Sequence, residues 1–263
     1  MPSGNRGKAP LILLHGFLGL PQDWRDFVQQ FEKNSNHLEK HEPHLYDLWR
    51  DVRLSMASGE SGFSNWLDGF HDALVRFRRP PVLVGYSLGG RLALQAAIQF
   101  PDLVKGVVAV SAHVGLAKET EREERLTADQ LWAQRWRSES WSEVLEAWNQ
   151  QSVFSFQPDQ GGNQTQTLRR GEKDFVRSEL AWVLDHWSLA RQKNLRPDLR
   201  QLHIPALFVS GEWDKKFTEL YQSLELPPAG EFRALSSAGH RVLADQPESL
   251  AKEVIQFIEK FGL

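Results

Sequence analysis

The chain switches between two patterns: short continuous apolar runs, and longer stretches whose apolar positions recur every three to four residues. Four runs, at 11–14, 82–84, 107–110 and 206–209, are each followed by glycine or polar turn residues. Runs this short between turn formers predict strands covered on both faces, because such a strand has no solvent side to carry polar residues. The 91–100 stretch has helical spacing and is closed by Pro101, and 247–261 is a second clear helix. The motif "FRALSSAGH" predicts one more strand, ending before its histidine. Strands alternating with helices in this way predict an α/β fold, with a mostly parallel sheet flanked by helices.

Between 115 and 194 the rhythm changes. Charged helical patterns such as "AKETEREERLTADQLWAQRW" and "EKDFVRSELAWVLDHW" follow one another with no strand between them. Six of the ten tryptophans fall here, at 132, 136, 141, 148, 182 and 187, which predicts an inserted helical cap with its own aromatic packing. The expected organisation is a core of 1–114 and 195–263, with 115–194 as the cap. The Gln-, Gly- and Asn-rich stretch 157–166 predicts a loop within it.

Composition narrows the chemistry. With 31 Lys+Arg against 34 Asp+Glu, both signs scattered, the chain has no basic stripe for nucleic acid. The absence of cysteine excludes disulfides, thiolate metal sites and a cysteine nucleophile, and fits a reducing cytoplasm. The first ten residues are short, polar and glycine-containing, unlike a signal peptide or membrane span, so a cytoplasmic, membrane-free protein is expected; a monomer is expected as well.

Gly85-Tyr86-Ser87-Leu88-Gly89 follows a predicted strand and opens a predicted helix. That context makes it a nucleophile elbow, a turn tight enough that only glycine fits on either side of the serine. A serine hydroxyl is a poor nucleophile or base by itself; it needs a histidine, held in one tautomer by an acid. Asp214, past the strand at 206–209, and His240, past "FRALSSAG", complete the order Ser…Asp…His. Glu212 competes as the acid, while His203 precedes its strand and so lies at the wrong end of the sheet. The backbone N–H groups of Phe17, after the first strand, and Leu88, after the nucleophile, are candidates for an oxyanion hole. His15 reads as structural.

On these residues the chain resembles the α/β-hydrolase superfamily over essentially its full length. Within it, "HGFLG", "GYSLGGR", "RLTADQLWAQRW…AWNQQSVF" and "SGEWDKKF" are similar to the 2-succinyl-6-hydroxy-2,4-cyclohexadiene-1-carboxylate synthases of menaquinone biosynthesis. The resemblance implies a lyase that releases pyruvate from a tricarboxylate, with the triad as base and no cofactor. It implies substrate contacts from Tyr86, Arg91, Arg125, Trp148 and Phe154, and a further arginine at Arg169 or Arg170. Arg91 also sits in the first turn of the helix after the elbow, where the helix dipole disfavours a cation by about 0.3–1 kcal/mol, so an anionic partner is expected. Each arginine has a plainer reading as a surface ion pair, and each aromatic as core.

Two points stay open at this level. The same triad serves an esterase, thioesterase or carbon–carbon hydrolase working through an acyl-enzyme, and a silent binding protein can share the fold. The stretch "LYDLWRDVRLSMASGESGF" departs from the glycine- and histidine-containing turn that many relatives carry, so the site entrance should differ there. In the cluster His37, His41 and His44, the first two lie four apart but no third ligand stands at a recognisable spacing, so exposed polar residues at a helix end are expected rather than a metal site.

Overall fold

The computed structural model describes residues 9–33, 41–59, 61–154 and 168–263. In chain order the elements are β1 (Ala9–Leu14), α1 (Arg25–Lys33), β2 (His41–Tyr46), α2 (Leu48–Ser58), α3 (Phe63–Leu74), β3 (Val82–Tyr86), α4 (Leu88–Gln99) and β4 (Gly106–Val110). Then come α5 (Glu119–Ser138), α6 (Trp141–Asn149), α7 (Arg177–His186) and α8 (Arg196–Leu199). The chain finishes with β5 (Ala206–Gly211), α9 (Lys215–Gln222), β6 (Gly230–Leu235), α10 (Val242–Asp245) and α11 (Pro247–Phe261).

The six strands form one parallel sheet in the order β2-β1-β3-β4-β5-β6. Alternate residues of the apolar runs serve opposite faces. Leu11 and Leu13 join Val84, Val108 and Val209 against Trp24, Phe27 and Phe31 and the apolar stripe of α11. Ile12 and Leu14 join Leu83, Ala109 and Phe208 against residues of α2, α3 and α4. This double coverage is why those runs contain no polar alternation.

β2, "HEPHLY", was not predicted, and it corrects the reading of its histidines. It is an edge strand with one buried end and mixed exposure beyond it, so it shows no apolar run. His41 is buried, with its Nε2 3.2 Å from the Leu263 carbonyl, and His44 faces Glu42 at 3.9 Å. Neither lies at a helix end, and His37 falls outside the described residues.

After β1 the chain turns to β2 on one side of the sheet, and then crosses to β3 on the other. The strand order therefore reverses between β1 and β3, and the carboxyl ends of a parallel sheet leave a crevice at such a point. The loops after β1 and β3 meet there. All described elements between β4 and α8 are helical, α5 packing along α7 and α7 resting on α2. Arg53 of α2 reaches Glu179 of α7 at 3.3 Å, tying the two layers together. The predicted loop 157–166 lies outside the described residues. Among the described residues no helix is long and apolar enough to cross a membrane.

Candidate active site

Ser87 is the sole residue between β3 and α4. Its φ of 50° and ψ of −110° belong to a region that side chains avoid, at a cost of roughly 1–3 kcal/mol. The turn is held from outside: Ser87 N donates to the Val110 carbonyl at 2.8 Å. Close packing explains the glycines. A Cβ on Gly89 would lie 2.3 Å from the Leu14 carbonyl oxygen, and one on Gly85 2.3 Å from the Gly89 oxygen, so α4 starts pressed against the end of β1.

The structure brings Ser87, Asp214 and His240 together from three strand ends. His240 Nδ1 lies 2.7 Å from Asp214 Oδ2, and Nε2 lies 3.4 Å from Ser87 Oγ. Asp214 and His240 are both buried, and Asp214 also caps α9 by accepting from Phe217 N. With the Nδ1 proton donated to Asp214, Nε2 is left to accept the serine proton. Glu212 is exposed and accepts instead from Ser237 N at 3.3 Å. His203 is exposed before β5, at the opposite end of that strand. The His240 ring is flanked by Phe217, Phe154 and Tyr86, at 4.9, 5.6 and 5.7 Å between centroids.

The backbone N–H groups of Phe17 and Leu88 have no acceptor among the described residues. The loop that carries Phe17 is braced by α2. Leu48 N donates to His15 Nε2 at 3.2 Å, which leaves Nδ1 to donate to the Gly16 carbonyl at 2.9 Å. Burial holds His15 below the usual imidazole range, so it stays neutral in this role. Trp49 Nε1 donates to the Gly19 carbonyl at 2.7 Å, and the Trp49 ring stacks on His15. "DLW" is thus the local answer to the departure noted in the sequence: Asp47 caps α2, and Leu48 and Trp49 hold the loop.

A cavity of about 810 Å³ opens beside Ser87 and His240. Phe17, Tyr86, Trp148 and Phe154 line it, as do both Arg169 and Arg170. Burial pushes the Tyr86 hydroxyl well above the usual phenol range, so it remains a neutral donor. Trp148 packs on Phe17 at 4.8 Å and on Trp132 at 5.0 Å, joining the aromatic cluster of the insertion to the loop that carries Phe17. Arg170 is committed: Nε donates to the Leu18 carbonyl and Nη2 pairs with Asp23.

Arg91 and Arg125 are not brought to this cavity, contrary to expectation. Arg91 is buried, and its Nε and Nη2 are bound to Gln192 Oε1 at 2.6 Å and the Trp187 carbonyl at 2.9 Å. A buried guanidinium has to satisfy its donors, and here it does so by pinning the returning end of the insertion to α4. Arg125 forms a one-turn ion pair with buried Asp129, whose Oδ2 also accepts from Ser188. Two cavity cations were missed by the sequence reading, the exposed Arg25 and the buried Arg241. For Arg241 the available signal was its place directly after His240. Among the described residues no group of three His, Asp or Glu is arranged to hold a metal.

Comparison with known proteins agrees with this architecture. The model of the "Alpha/beta hydrolase family" matches residues 11–253. Curated relatives include the 2-succinyl-6-hydroxy-2,4-cyclohexadiene-1-carboxylate synthase of Salmonella heidelberg, 33% identical over 256 residues, which cover 97% of this chain and 96% of the relative. The synthase of the same name from Salmonella typhimurium is 32% identical over 263 residues, with the same coverage. Among solved structures, MenH from S. aureus superposes with a TM-score of 0.79 at 19% identity, covering 98% of this chain and 97% of that one. The described fold, the family match and the named relatives lead to one statement: the chain is an enzyme of the alpha/beta hydrolase family.

Proposed function

We propose that the enzyme is a carbon–oxygen lyase. It would release pyruvate from 2-succinyl-5-enolpyruvyl-6-hydroxy-3-cyclohexene-1-carboxylate, giving 2-succinyl-6-hydroxy-2,4-cyclohexadiene-1-carboxylate. The observation that carries this reading is full-length similarity to synthases of that name, in a chain whose triad opens on a cavity lined by arginines and aromatic rings. The substrate is small and anionic, with three carboxylates. The reading includes no cofactor, nucleic acid or membrane, a cytoplasmic location and a monomer.

The chemistry follows from the substrate's connectivity. The succinyl ketone makes the ring C2 proton acidic. His240, oriented by Asp214, takes the Ser87 proton as Ser87 removes the one on C2. The electron pair moves onto the ketone oxygen, which the Phe17 and Leu88 amides receive as an enolate. Collapse forms the C2–C3 double bond, shifts C3–C4 to C4–C5 and breaks C5–O. Enolpyruvate departs and is protonated at carbon, giving pyruvate and leaving His240 neutral once its proton is passed on. Serine serves as a base throughout, so no acyl-enzyme forms. Trp148 and Phe154 supply the apolar wall for the ring.

The test is pyruvate release from freshly made substrate, corrected for spontaneous elimination. Acceleration by the wild type and its loss in Ser87→Ala support the lyase. Wild-type release at the background rate, with turnover of neutral aryl esters and a trapped acyl-serine, would replace it with a hydrolase.

A further inference from the structure

We propose that Arg241 is a carboxylate-binding residue of the cavity, presented by the catalytic-histidine loop and oriented by the insertion. The anionic ligand is taken from the lyase reading above; the placement is the structure's own.

Four arginines line the cavity, Arg25, Arg169, Arg170 and Arg241, against two carboxylates, Asp23 and Asp26. One pair is internally satisfied, since Arg170 is bound to Asp23 and to the Leu18 carbonyl. Arg25 and Arg169 are exposed and Asp26 is exposed with them, so water screens their charges. Arg241 differs from Arg25 and Arg169 in being buried. It is only 7% exposed, and it directly follows His240, so its backbone is fixed by the same loop that sets the triad.

Its side chain is held by the insertion. Nη2 donates to Asn149 Oδ1 at 2.6 Å, and the guanidinium carbon stands 4.1 Å from the centre of the Phe154 ring. Asn149 has a defined orientation: its Nδ2 donates to the Leu145 and Leu168 carbonyls, and Oδ1 accepts from Leu168 N as well as from Arg241. The planar fork of an arginine loses less freedom on binding when it is already stacked and tethered, and its geometry matches a carboxylate. The charged groups that bear on it are Asp245, which favours its charge, and Arg170, which opposes it. Burial weakens its hold on the proton, and a carboxylate arriving in the cavity favours the charged form. The stacking partner, Phe154, also contacts the His240 ring, which places the bound anion next to the proton-transfer path.

The alternative role for these contacts is purely mechanical, a latch between loop and insertion. Calorimetric titration separates the two with benzene-1,2,4-tricarboxylate and the uncharged tricarboxamide of the same ring as probes. Wild type is expected to bind the tricarboxylate the more tightly. Arg241→Gln is expected to weaken the tricarboxylate about 10- to 100-fold and leave the tricarboxamide within about twofold, and Arg241→Lys to recover part of the loss. Arg241→Lys also keeps the test open if the glutamine variant does not fold. Equal weakening of both probes, unchanged affinity for the tricarboxylate, or no wild-type binding of it would overturn the proposal. The titration needs no turnover, so an absence of pyruvate release sinks the elimination while this assignment stands or falls on its own numbers.

Discussion

The cavity has two walls built in different ways. On the core side, Ser87, Phe17 and His240 are carried by loops whose paths are set by backbone contacts: a glycine against a carbonyl at β1, an amide bonded to Val110, an indole bonded to Gly19. On the insertion side, Trp148 and Phe154 are placed by side-chain packing, ring against ring. Backbone contacts tolerate almost no displacement, whereas packed rings can shift and refill. Such a division suits an enzyme whose chemistry needs fixed distances and whose recognition needs only shape and charge.

The comparison is sharpened first where the largest effects are expected. Ser87→Ala should cut pyruvate release by about 10²- to 10⁴-fold, with little change in melting temperature. Gly89→Ala should also abolish activity, but by a different route. Its Cβ would meet the Leu14 carbonyl, and the denaturant midpoint should drop by the equivalent of at least about 3 kcal/mol. A Gly89→Ala variant with normal stability would show that the core wall is softer than its contacts indicate.

On the insertion side, Trp148→Ala should raise KM about three- to tenfold, as loss of about 0.5–1.5 kcal/mol of ring contact predicts, with a smaller effect on kcat. An equal fall in kcat would mean that Trp148, through Phe17, also sets the oxyanion loop. Trp49→Phe tests that loop from its other side. It strips the Gly19 carbonyl of its donor, and should cost about 1–3 kcal/mol in stability while lowering kcat more than it raises KM.

The smallest effect concerns α2, the brace of the core wall. Burial pushes the Asp51 carboxyl up to about 6, although Tyr46 and Trp66 both bond to it. A raised folded value favours the protonated acid, so this contribution is full below the ordinary carboxylate range and is lost as pH rises through about 6. Asp51→Asn should flatten the thermal stability profile between pH 4 and 7, as read by melting temperature, and leave KM unchanged.

Much of this was legible in the chain before any coordinates. The buried strands announced themselves as apolar runs because both of their faces are covered, and the elbow because only glycine fits two positions to either side of Ser87. β2 stayed hidden for the opposite reason: an edge strand half open to water has no apolar run to show. The helical character of the insertion was equally readable from its periodicity. Arg91 was expected at the cavity because a charge at a helix start says that a partner is needed, but not whether it is a substrate or a glutamine 101 residues away; Arg125, expected there by resemblance, is paired with Asp129 one turn on.

The sequence by itself determined the alternation of buried strands with helices, the strained serine turn and the histidine that follows a later strand, since each depends on local pattern and chain order. Only the tertiary structure decided that Asp214 rather than Glu212 faces His240, that α2 braces the loop carrying Phe17, and that Arg241 rather than Arg91 meets the cavity. Those outcomes depend on which distant segments pack together, and packing is settled by the summed burial of the whole chain rather than by any stretch of it.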